Sequence, residues 1–357
     1  MNLQQALQQL AQSQSLSREE MKATMTEVMS GAATPAQIGA LLIALRIKGE
    51  TIDEITGAAE VMRALATPVT VDQTHLIDLV GTGGDGANLF NVSTAATFVV
   101  AAAGGRVAKH GNRSVSSSSG SSDVLERLGV SLDLSPEHIA RCIDEVGLGF
   151  MFAPAHHGAM KHAVGPRREL GMRTVFNVLG PLTNPAFVKR QVLGVYDPAL
   201  CGPLAEVLHQ LGSERAMVLH SDDGLDEISI AASTQGWQLE GGELSPISID
   251  PNEFGHRHSD LEGLQVETAD ASARLIHAAL NGQNGRDFDK ARSMIALNAG
   301  AGIWISGVAE SLADGISQAE AVIASGQAAD RLTEFVAFTQ RLTDASAATA
   351  AEEGESR

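Results

Sequence analysis

Aromatic side chains are scarce. They make up 4% of the 357 residues, with one tyrosine and two tryptophans, although hydrophobic residues as a whole reach 44%. A chain this poor in rings and rich in Ala and Gly suits helices packed closely on a sheet rather than an aromatic-rich binding surface. Cysteine is nearly missing as well. Cys142 and Cys201 both fall in predicted helices without metal-type spacing, so they read as small buried hydrophobes, not as a disulfide or zinc site. Positive charge is in deficit: 25 Lys and Arg stand against 43 Asp and Glu, a formal net charge of −18. That field repels nucleic acid and anionic membrane at long range, so no nucleic-acid or membrane partner is expected. Any site for an anionic ligand must gather its cations locally. The most apolar run, Ala95 to Gly105, is too short to cross a bilayer of ~30 Å. The N-terminal stretch MNLQQALQQLAQSQSLSREE has no apolar signal core, and a soluble cytoplasmic protein is expected.

What is present divides in two. Residues 1 to about 70 read as four short helices. Leu3, Ala6, Leu7 and Leu10 share a helical face, and Ser17 with Glu20 has capping-box spacing. Thr34-Pro35 opens a third helix closed by Gly49, and Thr51 with Glu54 opens a fourth. The stripe Ile38, Leu41, Leu42 and Leu45 reads as core, with a dimer face as the alternative. From residue 71 strands alternate with helices, the mark of βαβ units. HLIDLV, RVAK, GFMFAP, RQVLGVY and RAMVLH are the predicted strands, WQLEGGELSPISI a hairpin, and Ala269 to Leu342 mostly helix. The expected fold is α/β: a small helical domain, 1–70, beside a larger domain, 71–344, with a mostly parallel central sheet flanked by helices. Residues 345–357 lack periodicity and are expected to form a disordered tail.

The chemistry concentrates between Leu76 and Gly129. Gly81-Thr-Gly-Gly-Asp-Gly86 follows a strand and formally matches a dinucleotide fingerprint. That fingerprint wants a carboxylate about 20 residues on. Here the region offers Arg106 and Lys109 instead, which speaks against NAD and leaves NADP open. Asn91-Val-Ser-Thr94 begins the next helix, with Asn91 or Ser93 as N-cap, and a helix start after a glycine loop suits an anion. Lys109, His110, Asn112 and Arg113 supply local cations and donors, and the serine loop from Ser114 to Ser122 can wrap a phosphate. Both loops follow predicted parallel strands and should emerge at one sheet edge, where open α/β folds bind ligands. Further on, Ser221 to Glu227 carries four carboxylates: either a solvated turn or a Mg²⁺ site completed by substrate phosphates. Arg167 and Arg168 are either a carboxylate clamp or surface charge. His156, His157 and His162 lack a metal-ligand pattern and read as packed or solvated.

Taken together, GTGGDG with FNVST, KHGNR with its serine loop and GSSDVLERLG, FAP, AMKH, the segment from Arg167 to Pro185 and the DGLDE turn resemble the anthranilate phosphoribosyltransferase family over nearly the whole chain. The resemblance implies a nucleoside-phosphorylase-type fold with residues 165–182 packing on the helical domain, and a homodimer. It implies Mg²⁺-dependent transfer of phosphoribose from phosphoribosyl pyrophosphate to anthranilate, the second step of tryptophan biosynthesis from chorismate. For the donor it implies Gly81, Gly84 and Asp85; Asn91, Val92, Ser93 and Thr94; Lys109, His110, Gly111, Asn112 and Arg113; and Ser114, Ser116, Ser117 and Ser121. For anthranilate it implies Gly81, Asn112 and Arg167, with His110 and His157 nearby, and for Mg²⁺ Ser93, Asp226 and Glu227. No covalent nucleophile is expected; Lys109, His110 and Arg167 are the candidates for assisting the reaction. Leu89, Ser118 and Gly158 depart from the family pattern. The competing readings are a pyrimidine nucleoside phosphorylase-like enzyme, an NADP oxidoreductase and a non-catalytic nucleic-acid-binding paralogue.

Overall fold

The computed structural model describes the backbone of residues 1–113 and 119–355, and side chains through residue 345. Four helices come first: α1 (Leu3–Ala11), α2 (Arg18–Met29), α3 (Pro35–Lys48) and α4 (Ile52–Ala64). Each begins with a complete capping box, Asn2 with Gln5, Ser17 with Glu20, Thr34 with Gln37 and Thr51 with Glu54. The two pairs headed by Asn2 and Thr34 have the same three-residue spacing as the two predicted ones. Glu54 does more than cap. Fully buried, it accepts from the Leu16 N–H at 2.9 Å, the Lys48 ammonium at 2.8 Å and the Thr51 N–H at 2.8 Å. One carboxylate thereby ties the α1–α2 link, the end of α3 and the start of α4.

The remaining order is β1 (Leu76–Gly81), α5 (Val92–Ala102), β2 (Arg106–Gly111), α6 (Ser121–Arg127), α7 (Pro136–Val146), β3 (Leu148–Phe152), α8 (Ala153–His156), α9 (Lys161–Leu170) and α10 (Phe176–Leu179). Then come β4 (Arg190–Gly194), α11 (Cys201–Gln210), β5 (Arg215–Ser221), the hairpin β6 (Thr234–Glu240) and β7 (Glu243–Ile249), and α12 (Ala269–Leu280), α13 (Arg286–Ser306), α14 (Leu312–Ala324) and α15 (Gln327–Glu355). The seven strands lie in the order β3-β2-β1-β4-β5-β6-β7. The first five are mutually parallel and the last two antiparallel.

The two faces of the sheet bury different partners. On one, Leu79, Val192, Met217 and Leu219 pack with α5 and α13. On the other, Leu193, Val195, Ala216 and Val218 share a core with α11 and the N-terminal helices, which also takes in Ala163, Val175, Phe176 and Leu179. The abundant Ala and Gly serve close approach. A side chain at Gly302 on α13 would stand 2.8 Å from Val100 and 3.0 Å from Leu79, so α13 can press on α5 and β1 only without one. Both cysteines are buried and free. The expectation of a structureless tail needs correction: residues 345–355 continue α15 as helix. Leu332, Phe335, Phe338 and Leu342 anchor its earlier turns in the core, and Ala and Glu then propagate helix readily. Among the described residues no helix is long and apolar enough to cross a membrane.

Candidate active site

Strand β1 has β2 on one side and β4 on the other, so the order reverses beside it. Ligands in open α/β sheets sit beyond the strand ends at such a point. Three connections converge there, those after β1, β2 and β5.

The glycine turn after β1 carries Gly83, Gly84 and Gly86 at φ +66°, +81° and +79°, the left-handed region that side chains rarely enter. It folds over the acidic turn that follows β5. The Gly83 N–H donates to Asp226 Oδ2 at 2.7 Å, and a side chain at Gly81 would collide with the same carboxylate. Asp85 accepts from the Ala87 N–H at 3.1 Å, and its charge helps to raise the pKa of Asp226. Arg173, in the link after α9, donates to the Gly84 carbonyl while its guanidinium lies 3.9 Å from the centre of the Tyr196 ring.

Helix α5 starts with Asn91 in the N-cap position, but the side chain does not cap it. It reaches sideways instead. Asn91 Nδ2 donates to the Ser119 carbonyl at 3.2 Å, and Oδ1 accepts from the hydroxyls of Ser119 and Ser272, both at 2.8 Å. The open helix start finds another anion: the Ser93 N–H donates to Glu227 Oε1 at 3.1 Å. Val92 is buried behind it, and the buried Thr94 hydroxyl has no partner among the described residues.

Lys109, at the end of β2, is 3% exposed and donates to the Leu79 carbonyl at 2.5 Å and to Ser93 Oγ at 3.3 Å. Burial lowers its pKa, opposed by Asp78 and Glu227. Asp78, on β1, is pushed up to about 6 by its own burial against the pull of Lys109; it accepts from Asn184 Nδ2 at 2.7 Å and from the His110 N–H at 3.3 Å. Desolvation raises Asp226 and Glu227 as well, reinforced for Asp226 by Asp85 and for Glu227 by Asp226. The centre is therefore short of positive charge. Among the described residues no group of three or more His, Cys, Asp or Glu could hold a metal alone. Two carboxylates needing a cation, with the Ser93 hydroxyl beside them, do suit Mg²⁺, which takes one or two protein carboxylates and fills its shell with water and phosphate oxygens.

His110 and His157 are buried, and their hydrogen bonds go to the carbonyls of Gly180 and Thr183. Each Nε2 has no partner among the described residues. Burial first and neighbouring histidines second push His110 down to about 3 and His157 to about 4. His156 packs through Nδ1 on the Thr67 carbonyl at 2.9 Å, in keeping with a packed histidine. Arg167, carried by α9, lies 5.0 Å from the Phe176 ring centre, and burial lowers its pKa; Arg168 is exposed.

Contacts thus join Gly81, Asp85, Ser93, Lys109, Asp226 and Glu227, while Gly84 meets Arg173. Arg113 turns elsewhere, with its guanidinium on Asp123 and Glu126, at 3.0 and 2.7 Å. Asn112 Oδ1 accepts from the Arg113 N–H at 2.8 Å, and Ser121 Oγ sits against Gly111. Ser114, Ser116, Ser117 and the divergent Ser118 lie outside the described residues. Leu89 forms an isolated bridge with Gln265, and Gly158 opens a 3₁₀ turn with empty space around it. Asp78 is a functional neighbour that the sequence reading misses, although a lone charge inside an apolar strand is a usable signal. Asn184, Tyr196 and Arg173 carry no such signal, because only the fold brings them in.

A glycosyl transferase family matches the chain in two parts, its helical bundle domain over residues 4–66 and its a/b domain over residues 73–329. An anthranilate phosphoribosyltransferase of Cellvibrio japonicus is 61% identical over 342 residues, covering 96% of this chain and 100% of that one. One from Teredinibacter turnerae is 59% identical over 95% of this chain and 99% of its own. The crystal structure of the anthranilate phosphoribosyltransferase from Thermus thermophilus superposes with a TM-score of 0.87 at 41% identity, covering 94% of this chain and 99% of that one. The Saccharomyces cerevisiae enzyme in complex with PRPP and Mg gives 0.86 at 26% identity, over 95% and 98% of the two chains. The chain belongs to this glycosyl transferase family and, within it, to the anthranilate phosphoribosyltransferases.

Proposed function

We propose that the protein transfers the phosphoribosyl group of phosphoribosyl pyrophosphate to the amine of anthranilate, giving N-(5-phosphoribosyl)anthranilate and pyrophosphate, in tryptophan biosynthesis. One observation carries the reading: in a molecule of net charge −18, a buried lysine and a half-buried carboxylate pair meet at the same helix start, Lys109 through Ser93 Oγ and Glu227 through the Ser93 N–H. A pyrophosphate with its divalent cation matches that mixture of signs. Asp226, Glu227 and the Ser93 hydroxyl would hold Mg²⁺. When bound, Mg²⁺ neutralises charge on the departing pyrophosphate as a Lewis acid.

The chain's own groups account for the rest. Lys109 and the N–H groups of the glycine turn favour negative charge developing on the leaving group. Asn91 holds the α5 start against Ser119. Arg167 offers a partly desolvated guanidinium to the anthranilate carboxylate, a bidentate match. His110, with a pKa near 3, is too weak a base to take a proton at neutral pH, so His110 and His157 act as neutral acceptors through Nε2. A weakly basic aniline nitrogen needs no prior deprotonation to attack an oxocarbenium-like carbon, and positioning supplies much of the rate. The division into a helical unit, 1–70 with 165–182, and a catalytic unit, 71–344, belongs to this reading, as does a cytoplasmic homodimer. Ile47 on α3 and Val164 on α9, 82% and 53% exposed on two helices packed together, support a partner there. Among the described residues of the site nothing favours a phosphorylase, NADP or nucleic-acid role. The test is loss of anthranilate fluorescence on adding phosphoribosyl pyrophosphate with Mg²⁺; fluorescence that persists there, or that falls equally with EDTA, overturns the assignment.

A further inference from the structure

The central stretch of α13, Met294 to Ile303, is buried on every side, and Asn298 is its one polar side chain. An amide in such surroundings is costly unless it is bonded. Asn298 is bonded at both ends. Its Oδ1 accepts from the Ile228 N–H at 2.9 Å, and its Nδ2 donates to the carbonyls of Ile228 and Met294, each at 2.9 Å. The two-way exchange with Ile228 copies a hydrogen-bonded pair of antiparallel strands. It occurs one residue beyond Glu227.

That position matters because the acidic turn is under load. Asp226 and Glu227 are neighbours in one tight, half-buried turn, their like charges repel one another, and the simplest relief is for the turn to lift toward water. The Gly83 and Ser93 N–H groups hold the two carboxylates by their tips. Gly194, at the end of β4, leaves no space for a side chain beneath the Asp226 backbone. On the far side of the pair it is Asn298 that grips the main chain. A leucine would fill the same volume in the core, so packing alone does not call for an amide.

We propose that Asn298 is a positioning residue for the divalent-cation site: by locking Ile228 it keeps Asp226 and Glu227 turned toward Ser93 and Lys109 before any ligand arrives. The inference rests on the assignment of Asp226 and Glu227 as cation ligands.

The experiment uses the full chain and measures Mn²⁺ binding in the presence of inorganic pyrophosphate, by electron paramagnetic resonance of the free ion. Anthranilate affinity and thermal midpoint are measured in parallel. Asn298→Leu should weaken Mn²⁺ binding about tenfold or more, the equivalent of losing one to two hydrogen bonds, with anthranilate affinity unchanged. Met294→Ala, whose carbonyl still serves Asn298, should lower the thermal midpoint and leave Mn²⁺ binding within about twofold. If Asn298→Leu does not fold, Asn298→Ser leaves room for water to bond Ile228 and should show the same loss in smaller measure. A folded Asn298 variant with wild-type Mn²⁺ affinity overturns the proposal, and so does an equal loss of Mn²⁺ and anthranilate binding. The Asp226→Ala/Glu227→Ala chain separates the two levels. If it keeps Mn²⁺ binding, the ligand assignment is wrong; if it loses binding while Asn298→Leu retains it, only the positioning role is wrong.

Discussion

The imidazoles of His110 and His157 lie with ring centroids 5.1 Å apart and planes tilted by 60°. Both pKa values fall below the ordinary 6.5, to about 3 and about 4, so the folded protein carries both rings neutral while an unfolded chain would protonate them. The unfolded state binds more protons between pH 6.5 and about 4, and stability there must rise with pH. The contribution is fully present above pH 6.5 and is lost as the solution is acidified through that window, at about 1.4 kcal/mol per pH unit for each ring. Urea unfolding at pH 7.5, 6.5 and 5.5 measures the slope. His157→Leu should make it shallower by roughly one proton's worth; an unchanged slope would mean that the ring is charged in the fold.

Asp226→Ala combined with Glu227→Ala should remove Mg²⁺-dependent turnover, a loss on the order of 10³-fold or more in kcat/KM, since several kcal/mol of charge stabilisation go with the ion. The double variant should nonetheless fold, because it relieves the repulsion of two adjacent, half-buried carboxylates. Turnover at the wild-type rate, with circular dichroism confirming the fold, would remove the pair from the site.

Arg167 and Arg173 sit close along the chain and should fail differently. Arg167→Ala should raise the KM for anthranilate by about 10- to 100-fold, the worth of a charged hydrogen bond, with little change for the donor. Arg173 touches the glycine turn through the Gly84 carbonyl and stacks on Tyr196, so Arg173→Ala should raise the donor KM and spare anthranilate. Steady-state kinetics in both substrates decide it; identical profiles for the two variants would contradict both assignments.

Glu54→Ala strips a fully buried carboxylate from Lys48 and leaves the Leu16 and Thr51 N–H groups unanswered. A cost of about 3 to 5 kcal/mol is expected from urea unfolding, with Glu54→Gln in between. A loss under about 1 kcal/mol would show that Lys48 escapes to water freely.

Much of this architecture can be read along the chain because its determinants are local. Capping residues three apart mark Ser17 and Thr51 as helix starts, and apolar runs such as HLIDLV mark strands. The convergence of the glycine turn and the KHGNR loop follows from two parallel strands. What local pattern cannot carry is direction. Asn91 has the type and place of an N-cap, yet Ser119 and Ser272, distant in sequence, compete for its amide and win it. Arg113 has the right neighbourhood but finds two carboxylates on α6 first. The tail lacks an apolar period, and helix propagates through it from a well-packed start. Asn298 escapes notice for the same reason, an asparagine in a long helix whose partner stands 70 positions away.

Lys109 donates inward, to Leu79 and Ser93, and is almost sealed from solvent. Dissolved ions screen exposed charges beyond about 10 Å at 0.1 M and reach buried ones poorly. An incoming polyanion therefore meets a repulsive exterior that added salt quietens and a buried Lys109 that added salt leaves alone. Moderate ionic strength should accelerate capture of the pyrophosphate donor, the reverse of the trend for proteins that wear their cations outside.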